Sequence, residues 1–268
     1  MGDILFVWAI IAYSGAAVLI TYNHLRGHHH PSIPGWWLVA SGWLAHCTAS
    51  VQTFLSQHNL SVNFTAALSL SALAMGLLYL ISWRIQRQTT RSVGLLLLPF
   101  MVISLGAALL LPTTEPKIHT LTNPVLIFHL ALSLLAYGLL SIAAILALLD
   151  AFQEHALKTK RFGKLFNMLP PLYALEETLF LMVNMGFILL SLSIMTGSVY
   201  SFLQYDQLFI FGHKVLFTWA TWLLFGTLLL GHRLWGWRGK KASQFTILGY
   251  LFLALAFLGV KFVTDIIL

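Results

Sequence analysis

The sequence predicts an all-α, polytopic membrane protein of eight transmembrane helices with both termini on the periplasmic side. Three observations predict it. Hydrophobic residues make up 59% of the chain and charged residues only 9%, against about 25% charged in an ordinary soluble domain. Apolar runs long enough to cross a bilayer recur at 4–23, 36–56, 64–83, 93–111, 125–149, 178–199, 213–234 and 244–264. The basic residues between these runs fall on alternate sides, which sets the orientation. Residues 1–268 are read as one integral membrane domain.

The runs follow in order. The first, at 4–23, is too long for a signal-peptide core, and Asp3 stands where a basic leader segment would begin. Pro31 and Pro34 precede the second, Pro112 and Pro124 flank the connection into the fifth, and Pro170 and Pro171 stand before the sixth. Each marks a break, because proline cannot continue a helix. Arg26, then Arg84, Arg87 and Arg91, then Lys158, Lys160, Arg161 and Lys164, then Arg233, Arg238, Lys240 and Lys241 share one side, and only Lys117, Lys214 and Lys261 do not. The crowded side is the cytoplasmic one. The longest connection, 150–171, reads as a basic amphipathic helix with Glu154 and Lys158 at helical spacing, lying on the anionic inner leaflet or recruiting a partner. Its helix is expected to end at Pro170.

Composition also excludes functions. The net charge of +7 comes from loop anchors, so it does not point to nucleic acid. One cysteine, Cys47, allows no intrachain disulfide and no Cys-x-x-Cys pair. There is no phosphate loop, no nucleophile elbow and no His-Glu-x-x-His helix. Glu176 and Glu177 follow Pro-Pro-Leu-Tyr at a helix start, where negative charge complements the dipole. They and the outer-face Asp206 and Asp265 are the carboxylates read near a span, too few for an acidic relay across the bilayer. No enzymatic turnover is expected. The tract His28, His29 and His30 is a candidate metal site, but no carboxylate or cysteine nearby completes it, and a polar loop is the expected role.

Histidine is the remaining chemistry. His46 lies ten residues beyond Trp36, near the midplane of the second span, where an ionisable side chain is a functional candidate by default. The competing role is a neutral imidazole hydrogen-bonded between helices, to a serine for instance. His129 stands near the outer end of the fifth span and His213 opens the seventh on the same face. Two imidazoles from separate helices suit the axial positions of haem iron, and aromatic walls suit the ring. Trp219 and Trp222 inside the seventh span, with Tyr200, Phe202, Tyr205 and Phe209 of the outer connection, are candidate walls. Lys214 is a candidate partner for a haem propionate. A hard divalent metal would want more carboxylates than this face offers. His232, beside Arg233 at the other end, is expected to be interfacial.

Several segments carry a family resemblance: HLALSLLAY at 129–137, LPPLYALEETLF at 169–180, LLSLSIMTG at 189–197, the His-Lys start of the seventh span, and GHRLWGWRGKKA at 231–242. They resemble the cytochrome c assembly protein family (CcsA/HemX-like), and within it the YpjD-type bacterial inner membrane proteins. The likeness is strongest over 125–260. It implies haem handling, with His129 matching an outer-face histidine of CcsA-type members and His232 a histidine of their later helix. Those members carry a tryptophan-rich WWD loop between the helices matching six and seven. Here 198–212 has no tryptophan, and the later outer histidine is absent from the sequence before Leu268. Presenting haem to an apocytochrome is therefore not the expected activity.

The sequence thus predicts a multi-pass protein of the bacterial inner membrane that binds or handles haem b. His129 and His213 are the candidate iron ligands, with His46, Lys214, Trp219 and Trp222 around the cofactor. Expected partners are the lipid bilayer, haem, and a cytochrome-biogenesis or haem-synthesis protein. One alternative is a membrane scaffold or regulator, for example of haem synthesis, recruiting a cytoplasmic partner. The other is a small-solute or ion transporter, which would show an internal repeat with broken helices; no repeat is evident between the halves.

Overall fold

Eight helices carry the fold in a computed structural model that describes residues 2–26, 33–57, 60–61, 64–85, 87–111, 118–119, 123–160, 163, 166, 169–208 and 212–256. They are α1 (Gly2–Leu25), α2 (Ile33–Gln57), α3 (Phe64–Ile85), α4 (Arg87–Leu110), α5 (Pro124–Thr159), α6 (Leu172–Tyr205), α7 (His213–Trp235) and α8 (Lys240–Ala254). Two short strands, β1 (Leu60–Ser61) and β2 (Ile118–His119), pair antiparallel with Leu60 opposite His119. They tie the α2–α3 connection to the α4–α5 connection.

The caps show why the helices start and stop where they do. Asn123 accepts a 2.9 Å hydrogen bond from the Val125 N–H, and Pro124 follows at the first helical position, where its missing donor costs nothing. Lys160 ends α5 in the left-handed region at φ 52°. Gly236 ends α7 at φ 63°, and the N–H groups of Gly236 and Trp237 reach the carbonyls of His232 and Gly231 at 3.1 and 3.2 Å. That turn folds Trp237 back onto Gly231, where a Cβ would fall inside the indole's van der Waals envelope. Glycine is required there by close approach.

α5 is the centre of the bundle. It packs most extensively on α6 and also on α8 and α3, while α1 pairs with α2 and α4, and α3 with α4. The core runs through Tyr13, Met75, Leu97, Leu140, Leu146, Val183 and Phe225. α7 rests mainly on α8 and α6, and much of its surface is exposed. In a lipid solvent such exposed apolar surface is expected.

α1, α3, α4, α5, α6 and α7 are long and apolar enough to cross a membrane. The chain is a polytopic membrane protein. The sequence reading expects eight spans. α2 falls short because His46, Gln52 and its serines dilute 25 otherwise sufficient residues, and α8 is described over only 15 residues. Another difference concerns 150–171, expected to be a separate helix. The structure instead continues α5 through Asp150 to Thr159 without interruption, since no glycine or proline stands between to stop it. The Glu154–Lys158 pair is present on this extension. The sixth run likewise lengthens, from 178–199 to Leu172–Tyr205, so Tyr200, Phe202 and Tyr205 are helical rather than in a loop. Phe209, Asp265, Lys117, Lys261, Arg161, Lys164 and the tract His28–30 lie outside the described residues.

Candidate functional site

A small cavity lies at the end of the bundle where α5 and α7 begin and α6 ends. About 90 Å³ in volume, it is lined by His129, Ser133 and Tyr137 of α5, Leu190 and Ser193 of α6, and Lys214 and Thr218 of α7, closed by Leu253 and Ala256. On α5 the positions 129, 133 and 137 are successive fourth residues, one stripe of the helix. A larger groove of about 750 Å³ between α1 and α2 has no imidazole, carboxylate or amine in its lining.

His129 is the best-anchored group in the cavity. Its Nδ1 lies 2.8 Å from the Ser193 carbonyl oxygen. A carbonyl only accepts, so Nδ1 carries the proton and donates it. In the neutral ring Nε2 is then left with its lone pair, and among the described residues nothing hydrogen-bonds to it. Ser133 donates to the His129 carbonyl at 2.7 Å, and its hydroxyl meets that of Ser193 at 2.6 Å. The Ser193 carbonyl also accepts from Thr196 at 3.1 Å. Fixing one imidazole nitrogen on a backbone carbonyl while freeing the other is how proteins orient a metal-binding histidine.

The other sequence candidates are dispersed. Lys214 lines the cavity, but its neighbour His213 is exposed at the first position of α7 and does not. Helical geometry explains the split, because adjacent residues point about 100° apart. Trp222 donates to the Ser191 hydroxyl at 2.9 Å and stacks on Phe187, rings 5.5 Å apart. Trp219 meets Trp222 edge-on. Neither tryptophan belongs to the cavity lining. His46 is fully buried, its Nε2 2.8 Å from the Ser69 hydroxyl, between the rings of Phe6 and Tyr13. That is the interhelical serine contact named above as its competing role.

His232, expected to be interfacial, stacks on Phe180 with ring centroids 3.6 Å apart, and its Nδ1 lies 2.9 Å from the Trp237 carbonyl. The fold-back of Trp237 over Gly231 brings that carbonyl into reach.

A residue that sequence reasoning missed is Asp150. It is fully buried and accepts a hydrogen bond from the Ser243 hydroxyl of α8. Nearby, Glu176 accepts from the Gly239 N–H at 2.7 Å, holding the start of α8. The signal was the absence of a breaker after Leu149, which keeps Asp150 on the buried stripe of a continuing helix.

Known proteins match this chain widely. A profile of the family described as Cytochrome C assembly protein matches residues 61–268. An uncharacterised 28.8 kDa protein of Azospirillum brasilense is 33% identical over 205 residues, covering 76% of this chain and 73% of that one. The inner membrane protein YpjD of Escherichia coli is 34% identical over 183 residues, 66% of this chain and 68% of its own. The protein HemX of Bacillus subtilis is 27% identical over 133 residues, 50% and 48% of the two chains. Matched over more than three quarters of its length, and carrying the membrane helices described above, the chain belongs to the cytochrome c assembly protein family.

Proposed function

We propose that this protein is a haem-binding protein of the bacterial inner membrane that acts without catalytic turnover. Eight spans, with α2 and α8 added to the six apolar ones, and both termini on the periplasmic side complete the reading. The His129 cavity then faces outward and the Asp150 end faces the cytoplasm, as the distribution of basic residues requires. The location agrees with the name of the YpjD relative. The partners that fit are the lipid bilayer, haem and a protein of cytochrome biogenesis or haem synthesis.

The observation that carries the haem reading is the 2.8 Å contact between His129 Nδ1 and the Ser193 carbonyl. It presets an imidazole with a free Nε2 lone pair in a cavity that Lys214 also lines. The donor set fits haem: an oriented imidazole for the iron and an ammonium for a propionate. The volume sets the manner of fit. Pockets that enclose organic ligands run to about 300–1,000 Å³, so a cavity of about 90 Å³ offers a ligand from one side and does not enclose a ring. If bound, haem would be held by the His129 Nε2 lone pair, with Lys214 beside it, and would supply a ligated iron. The chain's own work is to hold the His129 tautomer through Ser193, to brace that carbonyl segment through Ser133, and to place Lys214 beside it. His213, exposed one residue away, is the candidate second ligand. His46 has its Nε2 engaged by Ser69 and packs the bundle, and Trp219 and Trp222 brace α7.

Absorbance of the protein purified in mild detergent from haem-replete cells tests this. A Soret band that weakens or shifts to high spin in His129→Ala is expected. A colourless, folded preparation sinks the proposal.

A second reading, a scaffold or regulator recruiting a cytoplasmic partner, is favoured by the reach of α5. At about 1.5 Å per residue its 36 residues extend about 54 Å, against about 30 Å of hydrocarbon. The projecting end carries exposed Phe152 and Leu157.

A further inference from the structure

At the basic end of the bundle, opposite the His129 cavity, two buried oxygens have no hydrogen-bond donor. They are Asp150 Oδ1 and Gln153 Oε1. Both side chains are enclosed, Asp150 at 0% and Gln153 at 5% exposure. They stand three residues apart on α5, adjacent on one face. The assignment of the Gln153 amide is chemically forced. Its Nε2 donates to the Pro170 carbonyl at 3.1 Å, and a carbonyl cannot donate in return, so the orphaned atom is the oxygen. Asp150 Oδ2 is already occupied by the Ser243 hydroxyl.

Among the described residues, no cation is paired with Asp150. Glu154 of α5 is paired with Lys158, and Glu176 of α6 accepts from the Gly239 N–H; both press negative charge toward Asp150. The element packed over Asp150 from α8 presents Ser243, which is uncharged. Lys158 to Glu154 is the ion pair found among the described residues, and these include no group of three histidine, cysteine or carboxylate side chains able to hold a metal. A bare carboxylate enclosed beside two others, and two adjacent buried acceptors without a donor, are each costly.

One hydrogen removes both defects. We propose that Asp150 and Gln153 form a proton-binding site, in which Asp150 is a neutral carboxylic acid whose Oδ1–H is donated to Gln153 Oε1. The Oδ2 atom is then the carbonyl oxygen that receives the Ser243 hydroxyl, and Gln153 passes the connection on to the Pro170 carbonyl. The proton thereby joins α5, α8 and the turn ahead of α6 in one hydrogen-bonded chain. Its departure to water leaves a carboxylate facing Glu154 and Glu176, so the junction of the three elements closes on the proton and opens without it. The buried hydroxyl face of α8 continues away from this site through Thr246 to Tyr250, whose hydroxyl meets those of Tyr137 and Ser141 at 3.1 Å each. Tyr137 lines the His129 cavity. Hydroxyl side chains on one face of α8 thus run from the proton site toward that cavity without a continuous hydrogen-bonded link, since Thr246 donates to the Ala242 carbonyl of its own helix.

Infrared spectroscopy of the purified full-length protein at neutral pH reads the site directly. A carboxylic C=O stretch is expected, lost in Asp150→Asn and moved to higher wavenumber in Ser243→Ala, where the carbonyl oxygen loses its hydrogen bond. Should Asp150→Asn fail to fold, the Ser243→Ala shift decides alone. Absence of the band in the unaltered protein overturns the proposal. So does a band that neither substitution moves, or one that appears only after sodium and potassium are removed, since a cation then occupies the site.

Discussion

Gly197 lies against the imidazole of His129: a Cβ on Gly197 would stand 2.8 Å from the ring's Cε1 and 3.1 Å from Nδ1. The missing side chain on α6 is what lets the ring settle between Ser193 and α5. Gly197→Ala must push the ring away from the Ser193 carbonyl, since the colliding group is a rigid imidazole rather than a flexible tail. Overpacking of this kind costs about 1–3 kcal/mol. The expected outcome is a lower thermal midpoint in detergent and a Soret band weakened as in His129→Ala. Wild-type stability and spectrum together would show that the ring has room elsewhere.

His46→Ala is expected to act on stability alone. The substitution empties a fully buried position between Phe6 and Tyr13 and strands the Ser69 hydroxyl. Truncating a large buried side chain costs about 2–5 kcal/mol, here measurable as a fall in the unfolding midpoint followed by circular dichroism. The haem spectrum of the remaining folded protein should match wild type. A lost spectrum with unchanged stability would move the iron site to His46.

Glu176→Gln and Glu176→Ala separate charge from hydrogen bonding at the start of α8. Glutamine keeps an acceptor for the Gly239 N–H, and alanine leaves that donor unmet at a cost of about 1–3 kcal/mol. Amide hydrogen exchange at Gly239 should accelerate in the alanine variant and stay slow in the glutamine variant. Equal protection in both would show that α8 is held by its packing alone.

Orientation is testable with fusions. A periplasm-active reporter placed after Leu268 should be active, and the same reporter placed at Lys160 silent. The reverse pattern would turn the His129 cavity toward the cytoplasm and overturn the outward placement of His129 and His213.

The helical class was legible because apolar runs of bilayer length have few other fates, and breakers such as Pro124 and Pro170 marked their ends. The contact His46 makes was legible as one of its two readings, an imidazole that meets a serine of a neighbouring helix, here Ser69. The relation of His129 to His213 was not. Membrane face follows from position along a span, but contact depends on the rotational phase of two helices, which neither segment encodes alone. Lys214, one residue on, faces the cavity in place of His213. Asp150 escaped for a different reason. A charge just beyond an apolar run ordinarily marks the water interface, and only the packing of α8 across α5 encloses it.

The unbroken length of α5 has a mechanical consequence. From the cap at Asn123 to Thr159 it contains no internal proline, the usual cause of a sharp kink. Without a hinge, a rod cannot bend to absorb displacement at one end; it pivots. His129 lies near one tip and Asp150 toward the other, 21 positions on and therefore about 32 Å along the axis. A tilt at the imidazole end would therefore shift the carboxyl end sideways against α8, on which α5 packs.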